Sequence, residues 1–417
     1  MPAPLTFRPK IFKYLKVYSA DIFFSDLTAG LVVGIVALPL AIAFGIASGV
    51  SPEKGLITAV VAGFLVSALG GSRVQIGGPT GAFIVIVYGI VQKYGMEGLT
   101  VATLLAGILL ILAGSAGVGS AIRFVPRAVV VGFTSGIALI IFSSQAKDAL
   151  GLPIEKLPVE FIEKWKMILL HADSANMFAL TLCLGTVLLV AFWGRFFKRI
   201  PGSLAAIVLS SAAVICWHLR VETIGSRFGE LPHTLPMPHL PTFSLEMARA
   251  LILPAFTIAL LAGIESLLSA VVADGMIRSN HRSNTELIAQ GIANIASALF
   301  GGIPATGAIA RSATNIKNGA RTPMAGRIHA FTLLAILLLF GKWARLIPFS
   351  CLAGILVVVS YHMSEWRSFK AFLSEGKPDA LVMVVTFALT VLVDLTVAIL
   401  AGIVLNEVLQ KIRRTFP

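Results

Sequence analysis

The amino-acid sequence predicts an all-α multi-pass membrane protein, and three observations carry that prediction. Of the 417 residues, 57% are hydrophobic and only 13% are charged, whereas soluble domains carry roughly 25% charged residues. Long apolar stretches recur along almost the whole chain, as membrane-spanning helices require. A glycine- and proline-containing phrase interrupts two of these stretches, first as Gly77-Gly78-Pro79-Thr80-Gly81-Ala82 and again as Gly301-Gly302-Ile303-Pro304-Ala305-Thr306-Gly307-Ala308.

Fourteen apolar segments predict fourteen membrane spans. The third and the tenth are short and begin at the two glycine-proline phrases. We expect half-helices there, each preceded by irregular chain that protein or a hydrated cavity must satisfy. The segments are residues 28–50, 55–70, 79–92, 100–116, 126–146, 177–194 and 201–218 in the first half, and 250–275, 285–300, 305–316, 326–341, 348–362, 379–393 and 395–410 in the second.

The basic residues predict which side of the membrane each loop faces. If both chain ends are cytoplasmic, most of the 33 lysine and arginine residues fall in cytoplasmic segments, as the positive-inside rule requires. Two cytoplasmic ends need an even number of spans, which agrees with fourteen. We therefore expect a cell-membrane protein. Its net charge of +13 orients the spans beside anionic lipid and requires no nucleic-acid partner.

Several other classes of protein are not indicated by the sequence. Residues 10–16 precede a long first span without a cleavage-site pattern, so we expect no cleavable signal peptide. The three cysteines, Cys183, Cys216 and Cys351, lie in apolar segments without metal-ligand spacing, which predicts packing residues and no metal site. Nucleophile-elbow, P-loop and HExxH motifs do not occur. We predict neither an enzyme nor a cofactor.

The two halves of the chain are predicted to be inverted repeats. Seven spans per half is an odd number, so a duplicated second half must lie upside down in the membrane. Residues 79–82 match 304–308 with one insertion, and the Pro-Gly spacing of 126–132 recurs at nearly the same offset at 348–354. We expect repeats at about 20–220 and 245–412, within one transmembrane domain covering residues 1–417.

The two short helices are predicted to point their N-termini towards each other. Each N-terminus offers unpaired N–H groups and about half a positive charge, which suits an anion. The alternative is that the breaks are only kinks that let helices pack closely. The candidate anion-binding residues are Thr80, Gly81, Ala82, Phe83, Thr306, Gly307, Ala308, Ile309, Ala310 and Arg311, with backbone donors expected at Ala82, Phe83, Ala308, Ile309 and Ala310.

Arg311 follows the start of the second short helix within about one turn. An arginine near the middle of a membrane costs at least ~2.5–3.5 kcal/mol, so it must face a cavity or a partner. One hypothesis is that it supplies positive potential to an anion site. The alternatives are a structural ion pair with Glu265 or a side chain that reaches the membrane surface.

Glu265 is the second charge expected deep in the membrane. A carboxylate there can carry a proton, bind a cation or neutralise Arg311. Ser269, one helical turn further on, is the candidate partner in coupling to H⁺ or Na⁺. His218, His329 and His362 lie near the ends of spans, where we expect hydrogen-bonded interfacial histidines rather than ligands.

At this point the sequence resembles the sulfate permease family of anion transporters. The resemblance covers nearly the whole chain and depends on several motifs together. These are residues 37–45 in the first span, 77–83 at the third, 131–136 in the fifth, 265–268 in the eighth and 307–312 in the tenth.

The resemblance implies an anion bound between spans 3 and 10, with Pro39 and Ala41 of the first span in the wall of the site. It also implies a core domain of spans 1–4 and 8–11 and a gate domain of spans 5–7 and 12–14. The core is expected to move against the gate like an elevator, and two chains to form a homodimer. Family members usually carry a cytoplasmic STAS domain after the last span. None is expected within residues 1–417, which leaves the contacts made by that domain open.

The leading hypothesis is a secondary active transporter of bicarbonate, sulfate or a dicarboxylate, coupled to H⁺ or Na⁺. An uncoupled anion exchanger or channel is one alternative. A nucleobase-type transporter of the same fold is another, although Arg311 beside the helix start argues against a neutral substrate. An intramembrane enzyme would need a cluster of His, Asp or Glu side chains facing one cavity, and only Glu265 and Arg311 qualify as deep charges.

Overall fold

The computed structural model describes residues 7–15, 17–120, 126–197, 201–229, 234–242, 244–375, 377–393 and 395–415. Both chain ends lie outside these ranges. So do four basic residues used to orient the loops, namely Lys16, Arg123, Lys198 and Arg199. The expected cytoplasmic termini therefore stay a prediction.

The chain divides into two compact units. The first unit comprises residues 1–122 and 224–346. Its α-helices are α1 (Ile11–Leu15), α2 (Ala20–Ala47), α3 (Pro52–Leu69), α4 (Ile84–Ser115), α9 (Ile224–Phe228), α10 (Leu245–Ile277), α11 (Ser283–Leu299), α12 (Ile309–Lys317) and α13 (Met324–Phe340). Two short strands, β1 (Gly77–Gly78) and β2 (Thr306–Gly307), complete it.

The second unit comprises residues 123–223 and 347–417. Its described part is helical, and α5 packs against both α14 and α16. The helices are α5 (Arg127–Leu150), α6 (Phe161–Leu170), α7 (Met177–Phe196), α8 (Gly202–Cys216), α14 (Phe349–Met363), α15 (Trp366–Glu375), α16 (Lys377–Leu392) and α17 (Leu395–Thr415).

The lengths and compositions of the helices fit a membrane protein. Within the described ranges, seven helical stretches are long and apolar enough to cross a bilayer. Three shorter apolar helices accompany them, at Gly202–Cys216, Met324–Leu339 and Pro378–Leu392. The predicted fold class is confirmed as an all-α multi-pass membrane fold.

Helix α4 differs from the sequence-based expectation of two separate spans. It runs as one element from Ile84 to Ser115, and the backbone departs from helical geometry at Gly95, where φ is 68°. That left-handed conformation costs glycine no steric energy. The helix therefore turns at Gly95 without a loop, because one glycine absorbs the change of direction.

Close helix packing in the first unit depends on glycine. Gly107 of α4 and Gly291 of α11 face each other, and a Cβ built on Gly107 would lie 2.7 Å from the Gly291 carbonyl oxygen. A Cβ built on Gly291 would lie 2.5 Å from the Gly107 carbonyl oxygen. Small residues at such positions let helix backbones approach where lipid offers no hydrophobic driving force.

Candidate functional site

The two glycine-proline breaks contact each other directly. Strand β1 pairs antiparallel with β2, with Gly77 opposite Gly307 and Gly78 opposite Thr306. The Ala308 N–H group extends the pairing by donating to the Ile76 carbonyl oxygen at 2.8 Å. All four strand residues are buried. The repeated phrase therefore forms one junction within the first unit rather than two separate kinks.

Side chains from neighbouring helices satisfy the irregular backbone before β1. Glu286 of α11 accepts hydrogen bonds from the N–H groups of Gly71 (2.8 Å) and Ser72 (3.0 Å). Ser312 of α12 accepts from the Ile76 N–H at 3.0 Å. Asn315 of α12 donates to the Val74 carbonyl oxygen at 2.9 Å. Unpaired backbone groups are costly where water is excluded, and these side chains remove that cost.

The backbone before β2 is satisfied in the same way. Asn294 of α11 both accepts from the Ala305 N–H and donates to its carbonyl oxygen, each at 2.9 Å. Thr58 of α3 accepts from the Ile303 N–H at 2.7 Å. Ser297 donates to the Ile303 carbonyl oxygen at 2.8 Å. Polar side chains in apolar helices thus fix the position of both breaks.

Two helical segments begin immediately after the paired strands. The first starts with a 3₁₀ turn at Gly81–Phe83 and continues as α4, and the second is α12. The Phe83 N–H is directed at the Thr80 carbonyl oxygen over 3.4 Å, which is a long contact for a hydrogen bond. Neither helix start has a side-chain cap.

Not all of the expected backbone donors are free. The N–H groups of Phe83 and Ala308 have the intramolecular partners given above, so the expectation that Ala308 offers a free donor is wrong. No hydrogen bond within the described ranges occupies the N–H groups of Ala82, Ile309 and Ala310. Ile309 and Ala310 are also exposed. The available donors therefore concentrate at Ala82 and at the first turn of α12.

Arg311 extends from α12 to the other break. Its Nη2 donates to the carbonyl oxygen of Pro79. The side chain is only 2% exposed, and its Nη1 has no partner within the described part of the chain. Arginine carries five N–H donors in a planar fork. A buried guanidinium nitrogen without an acceptor leaves capacity for a further anionic group.

Glu265 lies beside the junction, close enough to Arg311 for the two charges to attract each other but without a direct ion pair. Its Oε2 accepts a hydrogen bond from the Thr80 hydroxyl at 2.8 Å, and the residue is half-buried. No ion pair links it to Arg311 in the region that the structure describes. The hypothesis of a structural pair between these two side chains is therefore not supported by the geometry.

The other predicted site residues have different contacts. The Ser269 hydroxyl lies 3.3 Å from that of Ser312, and no described hydrogen bond joins it to Glu265. The Thr306 hydroxyl donates to the Ala262 carbonyl oxygen at 2.8 Å. Pro39 and Ala41 are buried in α2, and the Ala41 carbonyl oxygen packs against Gly55 of α3. These groups hold helices around the junction.

Sequence reasoning missed two buried polar residues around the site. Gln75 donates to the Ser266 hydroxyl and carbonyl oxygens at 3.0 and 3.1 Å, and its side chain lies over Gly307. Glu286 is fully buried. Both residues lie close to the ends of apolar segments, where a polar residue is equally expected as part of a loop. The available signal was a carboxylate within a predicted span at residues 285–300.

The expectation for His329 is wrong. It is 0% exposed, in α13, and its nearest backbone partner is Gly326 of the same helix, without good hydrogen-bond geometry at either ring nitrogen. His218 and His362 are exposed, as expected of interfacial histidines. His329 differs because α13 packs against both α2 and α3, and these two helices cover the face of α13 that carries His329.

Gly78 offers a direct test of the junction. Its φ of 149° is rarely adopted by other residues, and a Cβ there would lie 2.5 Å from Arg311 Nη1. We expect Gly78→Ala to destabilise the protein by about 2 kcal/mol and to displace the guanidinium. Thermal unfolding in detergent measures the first effect. Gly89→Ala is the matched control, because no atom lies within 4 Å of a Cβ there. Equal melting temperatures for the two variants would contradict this geometry.

The chain resembles known transport proteins over most of its length. Residues 23–386 match the model of the sulfate permease family. The Bacillus subtilis (strain 168) protein YvdB, whose name makes it a candidate sulfate transporter, is 46% identical over 94% of this chain and 74% of its own length. The bicarbonate transporter BicA of Picosynechococcus sp. is 34% identical over 92% of this chain and 69% of its own length.

A solved structure agrees with these matches. The transmembrane domain of a cyanobacterial bicarbonate transporter BicA is 32% identical and superposes with a TM-score of 0.83, covering 91% of this chain and 98% of that one. Members of the family transport solutes across membranes and are not enzymes. The match to the family model and the identity to these relatives lead to one conclusion: the chain belongs to the sulfate permease family.

Proposed function

We propose that this protein is a secondary active transporter of a small anion, driven by H⁺ or Na⁺. One observation carries the proposal. The two breaks pair as β1 and β2, a helix begins directly after each, and Arg311 reaches from one helix to the backbone of the other break. That arrangement concentrates backbone donors and a guanidinium at one place inside an apolar fold.

The chemistry at this place favours an anion over a neutral solute. The exposed first turn of α12 offers the N–H groups of Ile309 and Ala310, and Arg311 adds a full positive charge. Thr80, Gly81, Ala82 and Phe83 complete the proposed site from the other side. No described carboxylate pairs with Arg311. Its Nη1, which has no described hydrogen-bond partner, therefore remains available to a bound bicarbonate, sulfate or dicarboxylate.

Glu265 is the proposed coupling residue. It stands in a long apolar helix, shares a hydrogen bond with Thr80 of the site, and is half-buried. A carboxylate in that environment can gain a proton or bind a sodium ion as the anion binds. Ser269 belongs to the same proposed site through Ser312, one helix away. A coupling ion is the only cofactor proposed.

The architecture we propose is fourteen spans in two inverted repeats. With α4 counted as two spans divided at Gly95, we assign the fourteen spans to thirteen of the described helices, among which α12 is short and polar. The packing supports the repeat, because α2 and α3 pack on α13 as α10 and α11 pack on α4. The antiparallel pairing of the two breaks fits the same symmetry. We assign both termini to the cytoplasm and the protein to the cell membrane.

The two compact units correspond to the proposed core and gate. The first unit holds both breaks, Arg311 and Glu265, as a core that carries the substrate should. Elevator-like movement of the core against the gate would then expose the site on alternate sides of the membrane. We further propose a homodimer, as the family resemblance implies.

The names of the relatives set the order in which candidate substrates are tested. BicA is named as a bicarbonate transporter and YvdB as a candidate sulfate transporter. We therefore place bicarbonate and sulfate first, with dicarboxylates such as fumarate and succinate after them. Helix N-termini and one arginine suit all of these anions, so the substrate must be found by measurement.

The test is uptake by proteoliposomes that contain the purified full chain. Labelled bicarbonate, sulfate, fumarate, succinate and uracil are offered with an imposed pH or sodium gradient. We expect accumulation of at least one anion above equilibrium, abolished when the gradient is collapsed. Anion flux that ignores both gradients would indicate an uncoupled exchanger or channel. Uptake of uracil alone would indicate a nucleobase-type transporter and overturn the proposal.

A further inference from the structure

Glu286 is a buried carboxylate outside the proposed anion site. It lies in the first turn of α11 and is 0% exposed. Its Oε2 accepts from the N–H groups of Gly71 and Ser72. Its Oε1 accepts from Gln290 Nε2 at 3.0 Å and from the Ser266 hydroxyl at 3.3 Å.

The four donors decide what this carboxylate can do. A carboxylate offers roughly four lone-pair positions on its two oxygens. Here four N–H or O–H groups, from the loop before β1, from α10 and from α11 itself, occupy them. Little acceptor capacity is left for a cation, which argues against a second coupling-ion site. The arrangement is suited to holding three segments in one fixed geometry.

One of those segments carries the proposed coupling residue. Ser266, which donates to Glu286, directly follows Glu265 in α10. The same hydroxyl accepts from Gln75 Nε2 at 3.0 Å. The Gln75 side chain lies over Gly307 of β2, and Ile76, the next residue, bonds to Ala308. Hydrogen bonds therefore link Glu286 to Ser266 and Ser266 to Gln75. Gln75 in turn adjoins the paired strands, through its packing on Gly307 and through the chain to Ile76.

A second buried carboxylate makes similar contacts away from the proposed anion site. Asp26 of α2 is also 0% exposed and accepts from the N–H groups of Arg321 (2.7 Å) and Thr322 (3.1 Å). Its described partners lie near the start of α13 and in the segment before α2. None of them belongs to α10 or to the paired strands. Asp26 thus matches Glu286 in chemistry but not in what it connects.

We propose that Glu286 is a positioning residue for ion coupling. Through Ser266 and Gln75 it sets the position of Glu265 relative to the β1–β2 pair, so that occupancy of the anion site and the state of Glu265 are linked. This inference rests on the proposed transport function. Glu286 itself contacts neither the anion nor the coupling ion.

Two variants test the connection, measured in the full chain in proteoliposomes. Ser266→Ala removes the hydroxyl between Glu286 and α10 and leaves the Gly71 and Ser72 contacts intact. Glu286→Gln replaces an acceptor with a donor opposite two N–H groups. For each variant we measure uptake of the transported anion against external pH and sodium concentration, and the melting temperature in detergent.

We expect Ser266→Ala to lower gradient-driven uptake about tenfold, because small displacements of reacting groups have effects of that order or larger. Its ion-dependence profile should shift while its melting temperature stays close to that of the unmodified protein. Glu286→Gln should show the same shift with a lower melting temperature. Asp26→Asn is the matched control and should lose stability without any change in the profile.

The outcomes separate this inference from the proposed function. If Ser266→Ala and Glu286→Gln keep the original ion-dependence profile, Glu286 is only a structural anchor and the inference fails. If Glu286→Gln does not fold, Ser266→Ala alone decides, since it keeps the loop contacts. If the unmodified protein accumulates none of the tested anions, the transport function fails and this inference fails with it.

Discussion

Replacing Arg311 by glutamine is expected to raise the dissociation constant of the transported anion roughly 10- to 100-fold. A hydrogen bond that involves a charged group contributes about 1.5–3 kcal/mol, and each 1.4 kcal/mol is a factor of ten in affinity. In this structure Arg311 Nη1 is buried and has no described partner. The substitution therefore removes the contact with the anion and the hydrogen bond to the Pro79 carbonyl oxygen, but no described salt bridge.

Arg311→Lys separates charge from geometry. Lysine keeps the positive charge but lacks the planar fork that lets one guanidinium nitrogen hold the Pro79 carbonyl while another faces the anion. We expect an intermediate affinity, measured by isothermal titration or by thermal shift against anion concentration. An unchanged dissociation constant in Arg311→Gln, with the protein folded, would reduce Arg311 to a structural residue.

Glu265→Gln is expected to abolish gradient-driven accumulation while leaving anion exchange and binding in place. Glutamine keeps the shape and can still accept the hydrogen bond from Thr80. It can neither take up a proton nor supply the charge that binds sodium. Accumulation against a gradient therefore stops, although the helix N-termini and Arg311 still bind the anion. Uptake under an imposed gradient and counterflow exchange measure the two activities.

The matched control for this variant is Glu246→Gln. Glu246 lies on the same helix, in its first turn, and is exposed. It should leave both activities unchanged. Full accumulation by Glu265→Gln would remove Glu265 from the coupling mechanism, whichever ion drives transport.

Much of the fold could be predicted because lipid imposes strict rules on composition. Apolar length predicted the long helices, and the repeated glycine-proline phrase predicted where α4 and the short α12 begin. Sequence could not predict that the two phrases pair as strands, because that pairing joins residues more than 200 positions apart. Nor could the sequence predict that the Ala308 N–H group is occupied by a hydrogen bond that extends that pairing.

The polar residues that satisfy the irregular backbone around the site were harder to predict from the sequence. Asn294, Ser297 and Glu286 are unremarkable in a one-dimensional scan, because polar residues are scattered among apolar ones along the whole of α11. Their role depends on which irregular backbone lies opposite, and only the packing of α11 against α3 and α4 supplies that. The same reason explains His329, whose position near a span end predicted exposure but whose helix is covered by two neighbours.

Binding of the anion at the start of α12 can be tested by asking whether the anion protects a cysteine at position 309 from labelling. Ile309 is exposed at the start of α12, and Cys216 is the exposed native cysteine among the described residues. The experiment labels Ile309→Cys in a Cys216→Ser background with a water-soluble thiol reagent, with and without the transported anion. Lys317→Cys, at the exposed far end of the same helix, is the control. We expect the anion to slow labelling at 309, with half of the effect at the anion concentration that half-saturates transport, and to leave labelling at 317 unchanged. Equal labelling at 309 with and without saturating anion, in a variant that still transports, would contradict it.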